Sequence, residues 1–80
     1  MTKAYFDTTL DKAASGDAQA MRNLAGACFQ MAGQGMDIGD TAGAKFFMDL
    51  GSDWKSASET GLKNSNQLKE LTRNTFDRFW

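Results

Sequence analysis

Between Phe46 and Phe79 the apolar positions hold one helical phase, and the polar positions fall away from it. With about 100° per residue and Leu68 at zero, Leu50 lies at about 0°, Trp54 at about 40°, Phe47 at about 60°, Phe76 at about 80° and Phe79 at about 20°. Ala57 falls at about −20°, Phe46 at about −40° and Leu71 at about −60°, so one stripe of about 140° persists. Lys45, Ser52, Lys55, Ser56, Glu59, Lys63, Glu70 and Arg73 fill the other side, with Arg73 and Asp77 spaced for a weak i,i+4 pair. The pattern predicts one amphipathic helix over about 41–79, roughly 60 Å long if unbroken.

Upstream, Ala4, Tyr5, Phe6, Leu10, Ala13 and Ala14 recur at helical spacing, which predicts a short N-terminal helix over 2–15 that Ser15-Gly16 interrupts. Asp17 offers an N-cap to a run rich in Ala, Met, Leu and Gln, and a helix over about 17–33 follows. The chain is then expected to turn in Gly33-Gln34-Gly35-Met36-Asp37-Ile38-Gly39-Asp40, with Asp40-Thr41 capping the next element. The expectation is an all-α fold: one helical domain over 1–80, built as a helical hairpin or a coiled-coil-like assembly.

Two short helices cannot cover a stripe of that length, and an exposed row of large apolar side chains calls for a partner surface. Phe46, Phe47, Leu50, Trp54, Leu68, Leu71, Phe76, Phe79 and Trp80 are therefore the candidate interface, with a second copy of the chain or a larger protein assembly as partner. Gly35, Gly39 and Gly43 are spaced by four. They read either as turn and cap glycines or as a smooth strip for close helix packing.

Composition narrows the chemistry. Nine Lys+Arg against ten Asp+Glu leave a net charge of −1, without the basic excess of a nucleic-acid binder. The chain has no histidine and one cysteine, so imidazole chemistry, disulfides and Cys/His zinc sites are excluded. Cys28, beside Leu24, Ala25 and Ala32, reads as a small buried hydrophobe. Met21, Met31, Met36 and Met48 read as adaptable packing. Asp37 and Asp40 flank Gly39 without the alternating ligands and closing Glu of a calcium loop, which leaves turn chemistry. A non-enzyme without cofactor or metal is expected. No apolar run approaches a membrane span, and Asp7 stands where a signal peptide would be apolar, so a cytoplasmic protein is expected.

From Gly61 to Trp80, Lys63, Lys69, Arg73 and Arg78 against Glu70 and Asp77 give a local charge of +2. Together with Leu68, Leu71, Phe76, Phe79 and Trp80, this suits an anionic or apolar surface as well as a protein one. The stretch Leu62-Lys63-Asn64-Ser65-Asn66-Gln67-Leu68-Lys69-Glu70-Leu71-Thr72-Arg73-Asn74-Thr75-Phe76 resembles the C-terminal part of phasins, the amphipathic helical proteins of polyhydroxyalkanoate granules. That resemblance implies a self-associating protein that covers a hydrophobic granule surface and is located there. The run Ala13-Ala14-Ser15-Gly16-Asp17-Ala18-Gln19-Ala20-Met21-Arg22-Asn23-Leu24, with Gly33-Gln34-Gly35, Asp40 and Ala44 further on, looks like a Sel1-like repeat. This second resemblance implies a small helical adaptor or accessory subunit.

Overall fold

The computed structural model describes residues 3–60 and 66–79, without the side chains of Lys3 and Phe79. Four helices follow one another: α1 (Lys3–Ala14), α2 (Ala18–Asp37), α3 (Thr41–Thr60) and α4 (Asn66–Phe79). The all-α fold is as expected. The second helix runs one turn beyond the expected end at 33, so Gly33 and Gly35 lie inside α2 and the turn narrows to Ile38-Gly39-Asp40.

The same device makes the first two turns. Gly16 and Gly39 adopt φ of 107° and 81°, a region where a side chain is strained, and each ends a helix. The Gly16 N–H donates to the Ala13 carbonyl (3.1 Å) and the Asp17 N–H to that of Lys12 (3.0 Å). The Gly39 N–H donates to Met36 (3.1 Å) and the Asp40 N–H to Gly35 (2.7 Å) in the same pattern. Each aspartate then opens the next helix. Asp17 Oδ1 accepts from the Gln19 and Ala20 N–H groups at 3.0 and 3.1 Å, and Asp40 Oδ1 accepts from the Gly43 N–H at 2.9 Å. A single Gly-Asp pair thus satisfies the end of one helix and the start of the next.

The expected helix over 41–79 is two helices, α3 and α4, and the longest dimension of the fold is 35 Å. Residues 56–66, Ser-Ala-Ser-Glu-Thr-Gly-Leu-Lys-Asn-Ser-Asn, concentrate side chains that compete with helix hydrogen bonds. Ser58 and Thr60 already turn their hydroxyls back onto the carbonyls of Lys55 (2.7 Å) and Ser56 (3.1 Å). Antiparallel packing on α3 gives the apolar face of α4 a place in the chain's own core.

That core joins Phe6, Leu10 and Ala13 of α1 to Met21, Leu24, Ala25 and Cys28 of α2, and to Phe47, Leu50, Trp54 and Ala57 of α3. Phe76 of α4 completes it, its ring 4.4 Å from that of Phe6 and edge-on to Phe47 at 5.0 Å. Trp54 is fully buried, and its indole N–H donates to the Thr72 hydroxyl at 2.8 Å. Thr72 in turn donates to the Leu68 carbonyl at 2.7 Å. Outside the core, Lys69 reaches Asp11 at 2.8 Å and Arg73 reaches Asp7 at 4.0 Å, so Arg73 pairs across to α1. Among the described residues no helix is long and apolar enough to cross a membrane.

The Trp54–Thr72 bond yields a test of the α4 position. Thr72→Val keeps the shape and strands the indole N–H in the core, which should destabilise the protein by about 1–3 kcal/mol in urea denaturation. Thr72→Ser should cost less than half of that. Equal losses for the two variants would show that the hydroxyl's hydrogen bond does not hold α4.

Candidate functional site

The candidate interface residues separate into two groups. Phe47, Leu50, Trp54 and Phe76 are buried within the chain, and Leu68 packs half-buried against the same core. They are not a free surface, because α1, α2 and α4 supply the cover that a long straight helix would have sought elsewhere. Phe46 and Leu71 are less covered, at 48% and 51% exposed. Trp80 and the Phe79 side chain lie outside the described residues.

Phe46 and Leu71 are the two positions at the border of the helical stripe. The buried members of α3 and α4 span about −20° to about 80° on the common wheel, and these two sit just beyond, at about −40° and about −60°. Antiparallel packing of α3 and α4 brings them to one shallow groove of about 160 Å³, which Asn74, Thr75 and Arg78 also line. The Thr75 hydroxyl is engaged with the Leu71 carbonyl at 2.7 Å, and the lining is mostly apolar, with an amide and a guanidinium among its groups.

A second recess of about 410 Å³ lies at the α2–α3 turn, lined among others by Met31, Ile38, Asp40 and Phe47. Asp40 is committed there as the α3 cap. The glycines of this region serve the turn inside one chain. A methyl group at Gly35 would lie 3.2 Å from the Asp40 carbonyl oxygen and the Ala44 nitrogen, and one at Gly43 would meet the Asp40 carboxylate. Gly39 supplies the positive φ. They are therefore no continuous strip on one helix, since Gly35 belongs to α2 and Gly43 to α3.

Among titratable groups, burial pushes the Cys28 thiol up to about 12, which makes it a poor nucleophile near neutral pH. The hydrogen bond and charge of Lys69 hold the Asp11 carboxyl below its usual range. Among the described residues no three of His, Cys, Asp and Glu are grouped to hold a metal ion.

Sequence reasoning missed Thr72, whose hydroxyl is the buried partner of Trp54. A threonine at about 40° on the wheel, the azimuth of Trp54 itself, was the available signal. It also missed the α1–α4 ion pairs, although acids at 7 and 11 and bases at 69 and 73 share the i,i+4 spacing that lets two antiparallel helices pair them. Comparison with protein-family models, with curated proteins and with solved structures returned no match.

The buried thiol makes stability depend on alkaline pH with a definite sign. Above its ordinary value of 9.0, Cys28 loses its proton in the unfolded chain while the folded chain keeps it to about 12. Stability should therefore be full below pH 9 and fall as pH rises, by up to about 1.4 kcal/mol per pH unit from this group. The difference between the unfolding free energies of the wild type and Cys28→Ala should shrink between pH 8 and 10. A constant difference would mean that the thiol titrates alike in both states.

Proposed function

We propose that this protein is a non-catalytic helical interaction module that meets a partner protein through Phe46 and Leu71. The observation that carries the reading is their placement: two large apolar side chains, from different helices, half-exposed over one groove while Phe47, Leu50, Trp54 and Phe76 lie in the core. A compact anchor pair of this kind suits a partner that inserts one apolar side chain between α3 and α4 and meets Asn74 and Arg78 at the rim. The inert thiol of Cys28 supports a binding role over thiol chemistry.

A phasin-like coat would call on apolar area along the whole stripe, which the closed fold keeps inside. The adaptor reading needs only the groove. A photo-reactive phenylalanine analogue at position 46, irradiated in cells, should give a discrete protein adduct that Leu71→Asp abolishes. With the adduct partner purified, Phe46→Ala should weaken binding by about 2 kcal/mol, roughly 30-fold, while urea denaturation changes little. Binding to purified polyester granules in proportion to exposed apolar area, with no discrete adduct, would overturn the proposal in favour of coating.

A further inference from the structure

Across α3 from Phe46, a groove of about 430 Å³ between α2 and α3 gathers an aromatic ring and charges of both signs. Its lining includes Arg22, Gly26 and Phe29 of α2, and Lys55, Ser58 and Glu59 of α3. The Phe29 ring lies against Gly51, so α3 supports it while 40% of the residue stays exposed. That contact sets the register of the two antiparallel helices. One turn back on α2 and one turn on along α3, Gly26 and Lys55 come opposite each other, and Arg22 and Glu59 follow a further turn on. A methyl group at Gly26 would meet nothing within 4 Å, so this glycine, unlike Gly35 and Gly51, serves no close contact inside the chain. Glycine inside a helix is unfavourable against alanine, and what it leaves here is room between the ring and the charges. Arg22 gives one N–H to the Gln19 amide oxygen at 3.0 Å, and the Ser58 hydroxyl donates to the Lys55 carbonyl at 2.7 Å. Among the described residues, neither Lys55 nor Glu59 has its charge taken up by an ion pair.

We infer that this groove binds a free amino acid with an aromatic side chain. Two cations, one carboxylate and an exposed ring are the complement of a molecule that carries a carboxylate, an ammonium and a ring of its own. The ligand's ring packs on Phe29, and its methylene passes over Gly26. Its carboxylate lies between Lys55 and Arg22, whose guanidinium keeps further N–H groups beside the one given to Gln19. Its ammonium meets Glu59. A simple anion would leave Glu59 opposing it, and a simple cation would meet two like charges, whereas the zwitterion meets each charge with its opposite. A peptide end carries only one of the two charges. A groove of about 430 Å³ lies within the range of small-molecule sites. The inference is independent of the partner reading, because this groove shares no residue with the one at Phe46 and Leu71.

Nuclear magnetic resonance titration of the isotope-labelled full chain tests this with four probes: L-phenylalanine, 3-phenylpropionate without the ammonium, phenethylamine without the carboxylate, and L-alanine without the ring. L-phenylalanine should shift the Gly26 and Phe29 amides saturably with a dissociation constant of about 1 mM or below, and the other three should each bind at least about tenfold more weakly. Lys55→Met should weaken L-phenylalanine binding at least about tenfold. Glu59→Gln should remove the advantage of L-phenylalanine over 3-phenylpropionate, a change that a merely structural role would not produce. Gly26→Ala should raise the melting temperature by about 4 °C while lowering the affinity, whereas Gly33→Ala, outside the groove, should raise it and leave the affinity unchanged. The absence of a saturable shift at about 20 mM L-phenylalanine would overturn the inference. So would equal binding of 3-phenylpropionate by the native chain, which would make the groove a site for apolar anions. An affinity indifferent to Gly26→Ala would place the amino acid elsewhere and overturn it too.

Discussion

A tryptophan placed wholly inside a protein must give its indole N–H to something, and here the acceptor is the hydroxyl of Thr72. That hydroxyl has its own proton to dispose of and donates it to the Leu68 carbonyl one turn back. Both polar groups are satisfied without water, and the bond fixes the register of α4 against α3. One turn after Thr72, Phe76 then falls between Phe6 and Phe47, and one turn before it Lys69 reaches Asp11. Leu68 packs against the same core and Arg73 reaches Asp7, so one face of α4 is held along its length. Its place in the fold rests on this hydrogen bond and on the rings beside it.

The helical character and the first two helix starts were legible because they arise from local chemistry. Apolar spacing, Gly16 and Asp17 act over one or two turns, and the structure keeps them. The antiparallel packing of α4 against α3 was not legible from periodicity, because both helices carry the same apolar phase. It depends on the burial of Phe76 and Trp54, and only the tertiary core decides that. For the same reason the candidate surface was read too broadly. The wheel angle distinguishes centre from border, but which border stays outside depends on where α1 and α2 lie. Phe46 and Leu71 were among the named residues; that they differ in kind from Phe47 or Leu50 became visible only with the packing.

Small size makes the close approach of α2 and α3 consequential. The Gly35 position touches the start of α3, and the Phe29 ring lies over Gly51, where an added methyl carbon would come within 2.8 Å of it. Removing side chains at these points lets the two longest helices share a narrow seam into which Met21, Leu24 and Cys28 fit without polar partners. The thiol's raised proton affinity is a direct result, since the seam offers a thiolate neither water nor a cation.

The two Gly-Asp turns also bear on how the chain folds in time. They join α1 to α2 and α2 to α3 through bonds between near neighbours, so these three helices can assemble from contacts of short sequence separation. The α4 contacts are of another kind, for Phe6 and Phe76 stand at opposite ends of the chain. Closing that loop costs entropy that no local bond offsets in advance, which puts the docking of α4 after the core of the first three helices in the order of events. Changes at the turns would then act on the rate of folding, and changes at Phe76 mainly on the rate of unfolding.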